Sequence, residues 1–161
     1  MNNGNFYLAD AIDVIQEVLD GGGEFRLYPR GVSMLPLIRQ ERDSVVLKKR
    51  ADLSEAPVRK HEIAFYRRES GQFVLHRVMR AEKDGTYTMC GDNQLDLERG
   101  IRREQIIGYV AGIYRKDKPL PMNGLSYRTY TLFWNCMPLR HCIKFPKRAL
   151  GWIKRRLNKK A

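Results

Sequence analysis

Six short runs rich in Val, Ile, Phe and Tyr (residues 24–28, 44–49, 62–67, 72–80, 86–90 and 106–114) are separated mainly by short Gly-, Pro-, Asp- and Ser-bearing segments. No long helical stretch lies between them, so the chain has little material for the crossovers that parallel strands require. The expected fold is mainly β: an antiparallel sheet, arranged as a sandwich or partly closed barrel. At 161 residues, there is enough chain for one core of ordinary size without disulfides or metals.

The strand-rich region is flanked by segments of another period. Over residues 8–20, Leu8, Ala11, Ile12, Ile15, Val18 and Leu19 share one helical face, and Gly21-Gly22-Gly23 ends that helix. Beyond Pro119 and Pro121, a second stripe of Tyr127, Tyr130, Phe133, Trp134 and Met137 runs up to Pro138. A third, Leu150, Ile153 and Leu157, is surrounded by Lys and Arg. Three segments follow: 1–23, an N-terminal helix and glycine linker; 24–117, the β domain; and 118–161, a basic helical tail.

Charge divides the chain at the same place. Residues 1–117 carry 19 Lys and Arg against 18 Asp and Glu, whereas residues 118–161 carry 11 Lys and Arg and no acid. A nearly neutral body with a cationic tail points to an anionic partner. For the amphipathic stretch 147–160 with Trp152, that partner is expected to be an anionic membrane surface, ahead of nucleic acid. The stripe over 127–137 is expected to pack on the β body. A solvated, merely solubilising tail is the simpler alternative.

Two segments carry candidate chemistry. In Arg30-Gly31-Val32-Ser33-Met34-Leu35-Pro36, glycine and proline bracket a serine directly after a strand. Such a serine is a turn residue as readily as a nucleophile, but a tight turn can present its Oγ and leave its own N–H for an oxyanion. His76 lies in Phe73–Met79, sharing a strand face with Val74 and Val78. An Asp84-Gly85 two-residue turn would set Lys83 opposite Thr86 and bring His76 opposite Asn93. The loop Gly91-Asp92-Asn93-Gln94-Leu95-Asp96 then meets the imidazole, with Asp92 or Asp96 available to orient it.

The run GVSMLPLI, the phrase VLHRV, the loop GDNQLD and the following IIGYV together resemble the signal peptidase I superfamily, which also contains LexA-like self-cleaving repressors. The likeness covers about residues 24–114. It implies a serine endopeptidase cleaving a leader or precursor peptide. Ser33 would be the nucleophile, His76 the base as in the archaeal and endoplasmic-reticulum-like branch, and Asp92 and Asp96 the acidic partners. It also implies an antiparallel β fold whose groove takes substrate as an added strand. Gly31 stands where some relatives place a second oxyanion serine. Arg42-Asp43 and His61-Glu62 replace two Gly-Asp pairs of the family pattern.

The alternative is an inactive peptide-binding or regulatory module of the same fold. The 23 residues before the strands are too few for a helix-turn-helix. Cys90, Cys136 and Cys142 are expected to be reduced thiols, and Cys136, His141 and Cys142 lack the spacing of a strong metal motif. Without a Walker loop, dinucleotide fingerprint or HExxH run, no cofactor or metal is expected. His61 is expected at the surface. With no apolar run long enough to span a bilayer and no basic leader, the expected location is cytoplasmic, peripheral at the inner membrane face.

Overall fold

A computed structural model describes residues 3–50 and 56–142, with side chains described from residue 11. The chain forms two compact units, Met1–Met122 and Asn123–Ala161. In the first unit, α1 (Asn3–Asp20) leads into β1 (Phe25–Leu27), β2 (Asp43–Lys48), β3 (Ile63–Arg67), β4 (Phe73–Ala81), β5 (Tyr87–Cys90), β6 (Glu98–Ile101), β7 (Ile106–Arg115) and β8 (Lys118–Pro119). The second unit contains α2 (Leu125–Asn135), followed by helical residues 137–142.

All strand pairs are antiparallel, in the order β1-β2-β7-β3-β4-β5-β6, with β8 on β7. The mainly β antiparallel expectation therefore holds, but the partial closure into a barrel does not. The path is open, with β1 and β6 at its ends. Six strands lie where the runs of Val, Ile, Phe and Tyr place them. β6 and β8, which have no such run, are additions.

α1 belongs to the first unit through its apolar face: Ile15 and Leu19 are fully or almost fully buried. Gly22 takes a left-handed φ of 78° and its N–H caps the Leu19 carbonyl, which stops the helix where the glycine run begins. Leu19 packs so closely on β7 that a Cβ at Gly108 would meet its Cδ1 at 3.3 Å and the Lys48 carbonyl oxygen at 2.8 Å.

The hairpin of β4 and β5 sets the geometry that matters for function. Its loop has three residues, not two: the Glu82 N–H bonds the Thr86 carbonyl, and Gly85 supplies a φ of 84°. Asp84 Oδ1 accepts from the Thr86 N–H at 3.0 Å and from its hydroxyl at 2.8 Å, holding that turn. A bulge between Val78 and Arg80 moves the pairing once more, so Arg77 faces Cys90 and Val78 faces Met89. The expected pairing of His76 with Asn93 is thus corrected by two residues. Continuing the register beyond Cys90 brings Gly91 beside His76. A shift of two preserves the side-chain face. His76 accordingly shares its face with Ala64, across the β3 ladder, and with Val74 and Val78.

Candidate active site

The Ser33 turn is anchored on the loop that follows β5. The Asn93 N–H donates to the Ser33 carbonyl oxygen at 2.6 Å, and a Cβ at Gly91 would stand 2.7 Å from that same oxygen. Only glycine permits this approach. At the start of the turn, the Gly31 N–H bonds Gln40 Oε1 at 2.8 Å and Gly31 takes a φ of 96°. Met34, Leu37 and Ile38 anchor the turn in the core, whereas Ser33 itself is half-buried. The Ser33 N–H donates no hydrogen bond among the described residues. Gly91 follows Cys90, the partner of Arg77, which is the chain neighbour of His76. One loop therefore links the serine turn to the histidine strand.

That loop is pinned from two sides. Arg77 and Asp92 are both fully buried, with Nε on Oδ1 at 2.8 Å and Nη2 on Oδ2 at 2.7 Å. Arg77 Nη1 also donates to the His61 carbonyl at 2.8 Å. His61 is half-buried, not at the surface as expected, and its backbone is left-handed at φ 74°. The buried Cys90 thiol lies against the carbonyl oxygens of Gly91, Gln94 and Asp96. Asp92 thus serves Arg77 with both oxygens, and Asp96 has an exposed side chain and meets Cys90 through its backbone.

A further carboxylate, Glu98 of β6, lies beside His76. His76 Nδ1 lies 3.1 Å from the Tyr66 hydroxyl, which donates to Glu98 Oε2 at 2.8 Å. Glu98 Oε2 is 3.7 Å from Nδ1, and Arg68 holds both Glu98 oxygens, at 2.8 and 2.6 Å. Burial raises the Glu98 carboxyl, but the bonds from Arg68 and Tyr66 outweigh it and hold the group below the usual carboxylate range. Glu98 is then ionised at neutral pH and only accepts. Because the one Tyr66 proton goes to Glu98, the phenol oxygen accepts from His76 Nδ1–H. That tautomer leaves the Nε2 lone pair unprotonated, and Nε2 makes no hydrogen bond among the described residues.

His76 is 2% exposed. Burial pushes its imidazole down to about 4; Glu98 opposes the fall, Arg68 adds to it and Asp92 opposes it more weakly. The same burial, followed by the bond to Glu98, pushes the Tyr66 phenol up. At neutral pH the group is a neutral imidazole with one lone pair free, which is the form that takes a proton.

Tyr66 was not legible in the sequence. Ser70-Gly71 read as a two-residue turn would pair His76 with Phe65, whereas the Arg68 N–H bonds the Gln72 carbonyl and the loop spans Glu69–Gly71, so that Ala64 faces His76 and Tyr66 lies two residues along the same face. Glu98 carried no signal either, since Glu98-Arg99-Gly100-Ile101 has no strand-like run.

Near the Ser33 turn, Tyr28, Arg30, Gln40, Arg42, Ser44 and Lys116 line an open cavity of about 690 Å³. Asp43, between Arg42 and Ser44 in the chain, is buried. Its desolvation is overcome by bonds from Arg42 and the Arg39 N–H, which hold its carboxyl below the usual range. Among the described residues, no group of three or more His, Cys, Asp and Glu side chains is gathered as for a metal, and no helix is long and apolar enough to cross a membrane. No protein-family model matches this chain, and no curated protein does so either.

Proposed function

We propose that the chain is a serine endopeptidase of the signal peptidase I and LexA-like kind, acting on an extended leader or precursor peptide. The observation that carries this reading is the convergence of the Ser33 turn and the His76 strand on one loop, through Asn93, Gly91 and Cys90. Ser33 Oγ attacks the scissile carbonyl carbon while His76 Nε2 takes its proton. The Ser33 N–H receives the resulting oxyanion. Collapse expels the amine, which leaves with the proton from His76, and water then hydrolyses the acyl-serine by the same route. The side of β1 that pairs with no strand among the described residues is suited to take substrate backbone as an added strand.

Within this mechanism, Tyr66 and Glu98 take the orienting role expected of Asp92 or Asp96. They fix the Nδ1–H tautomer and face the imidazolium that forms. The acid limb of kcat/KM is expected at about pH 4, below the ordinary histidine range, because His76 must stay neutral to act. Tyr66→Phe removes the acceptor of Nδ1–H, and kcat is expected to fall roughly 10- to 100-fold. Glu98→Gln removes the charge that raises the imidazole, so the acid limb should move lower still as kcat falls. A loss of rate with an unmoved pH profile in Glu98→Gln would remove Glu98 from this role.

The reading is tested by treating the protein with a fluorophosphonate and measuring intact mass, alongside cleavage of an extended-peptide library. Expected are a single adduct, absent in Ser33→Ala, and library cleavage that disappears with it. Neither adduct nor cleavage in the parent protein would transfer the fold to the inactive binding-module reading.

A further inference from the structure

The second unit presents an apolar face to solvent. In α2, Thr131 is the one buried residue, and Tyr127, Tyr130 and Trp134 are half-buried, with the last two rings stacked at 5.6 Å. On the open side Leu125, Leu132 and Phe133 are 82%, 67% and 60% exposed. Leu132 follows Leu125 by two helical turns, with the exposed Arg128 and Thr129 between them. Residues 123–161 contain 10 Lys and Arg and no Asp or Glu. Of the three outward side chains, Phe133 alone belongs to the stripe read from the sequence over 127–137.

We propose that this face of α2 is a lipid-docking surface for an anionic bilayer. Leu125, Leu132 and Phe133 enter the boundary between headgroups and acyl chains, and Arg128 stays at the level of the phosphates. The choice of partner follows from the combination of groups. Lipid headgroups and nucleic-acid phosphates both attract cations. Only the bilayer also offers an apolar phase to two leucines and a phenylalanine. A second copy of the chain would bring Arg128 and an acid-free cationic segment against themselves, which like-charge repulsion opposes. Residues 147–160, the stretch expected from the sequence to meet a membrane, lie outside the described residues.

The test uses the full chain and vesicles of phosphatidylcholine, alone or mixed with phosphatidylglycerol. Sedimentation with the mixed vesicles is expected, and much less with phosphatidylcholine alone. The triple substitution Leu125→Ser, Leu132→Ser and Phe133→Ser should weaken that partitioning at least tenfold without lowering the melting temperature. As a second measurement, brominated acyl chains should quench the emission of Phe133→Trp in a Trp134→Phe, Trp152→Phe background. Undiminished binding by the triple variant would overturn the proposal, since charge alone would then suffice. So would vesicle-bound protein in which the Phe133→Trp emission is unquenched. A protein that binds a DNA duplex but no vesicle overturns it as well, and a triple variant that melts early while still binding vesicles shows instead that the face packs within the protein. None of these readouts involves peptide cleavage, so they stand or fall independently of the peptidase reading.

Discussion

Asp92→Asn is expected to lower the melting temperature by roughly 10 °C or more. The substitution keeps shape and removes charge, leaving the Arg77 guanidinium fully buried without its counter-ion. Breaking one partner of such a pair costs about 3–5 kcal/mol, because the remaining charge has already surrendered its water. Arg77→Met leaves the Asp92 carboxylate in the same position, and a comparable loss is expected. The double variant, Arg77→Met with Asp92→Leu, should recover much of the stability, since an apolar pair of similar volume often replaces a buried ion pair without penalty. It should not recover cleavage, because the loop that meets the Ser33 carbonyl would have lost its two-pronged anchor. A double variant that is both stable and fully active would show that the pair contributes to folding alone. A single Asp92→Asn variant that melts with the parent would remove even that contribution.

Ser33→Ala and His76→Ala are each expected to reduce cleavage about ten-thousandfold or more, leaving the residual rate that binding and the oxyanion donor supply. Their stabilities should differ. Ser33 is half-buried and has no side-chain hydrogen bond among the described residues, so its substitution should leave the melting temperature unchanged. His76 is buried and bonded to Tyr66, and its removal takes the donor from the Tyr66 oxygen and opens a space, costing about 1–3 kcal/mol. The two variants combined should lose little more activity than either alone, as expected of groups acting as one unit. Additive losses, or cleavage that survives in either variant, would place the chemistry elsewhere.

The parts of this molecule that were legible in its sequence are those governed by local chemistry. The end of α1 could be read because three consecutive glycines interrupt a helical stripe, and six strands because Val, Ile, Phe and Tyr cluster between turn residues. The serine turn stood out for its bracketing glycine and proline. Pairing across the sheet was less accessible. A three-residue loop at Lys83–Gly85 and a bulge at Met79 each moved the register, and neither departs from the pattern of an uninterrupted hairpin. The partner of Asp92 was within reach, because the uninterrupted register already sets Arg77 opposite Asp92, and in the shifted one, where Arg77 faces Cys90, its guanidinium still reaches Asp92 two residues further on. Glu98 was hidden because β6 is stabilised by its neighbours and not by its own residues: Ile101 alone of its four is buried.

An open sheet leaves two ladders of backbone groups without a strand to satisfy them, and long ladders invite other copies of the chain to join. Here the terminal strands are three and four residues long. They offer too little backbone for copies to zip together, which limits aggregation at both ends. The same shortness caps how far any incoming peptide can be gripped along β1, to about three residues of ladder. Discrimination among substrates must then come from side chains seated in the surrounding cavity, and a peptide lacking the right ones should leave as readily as it arrived.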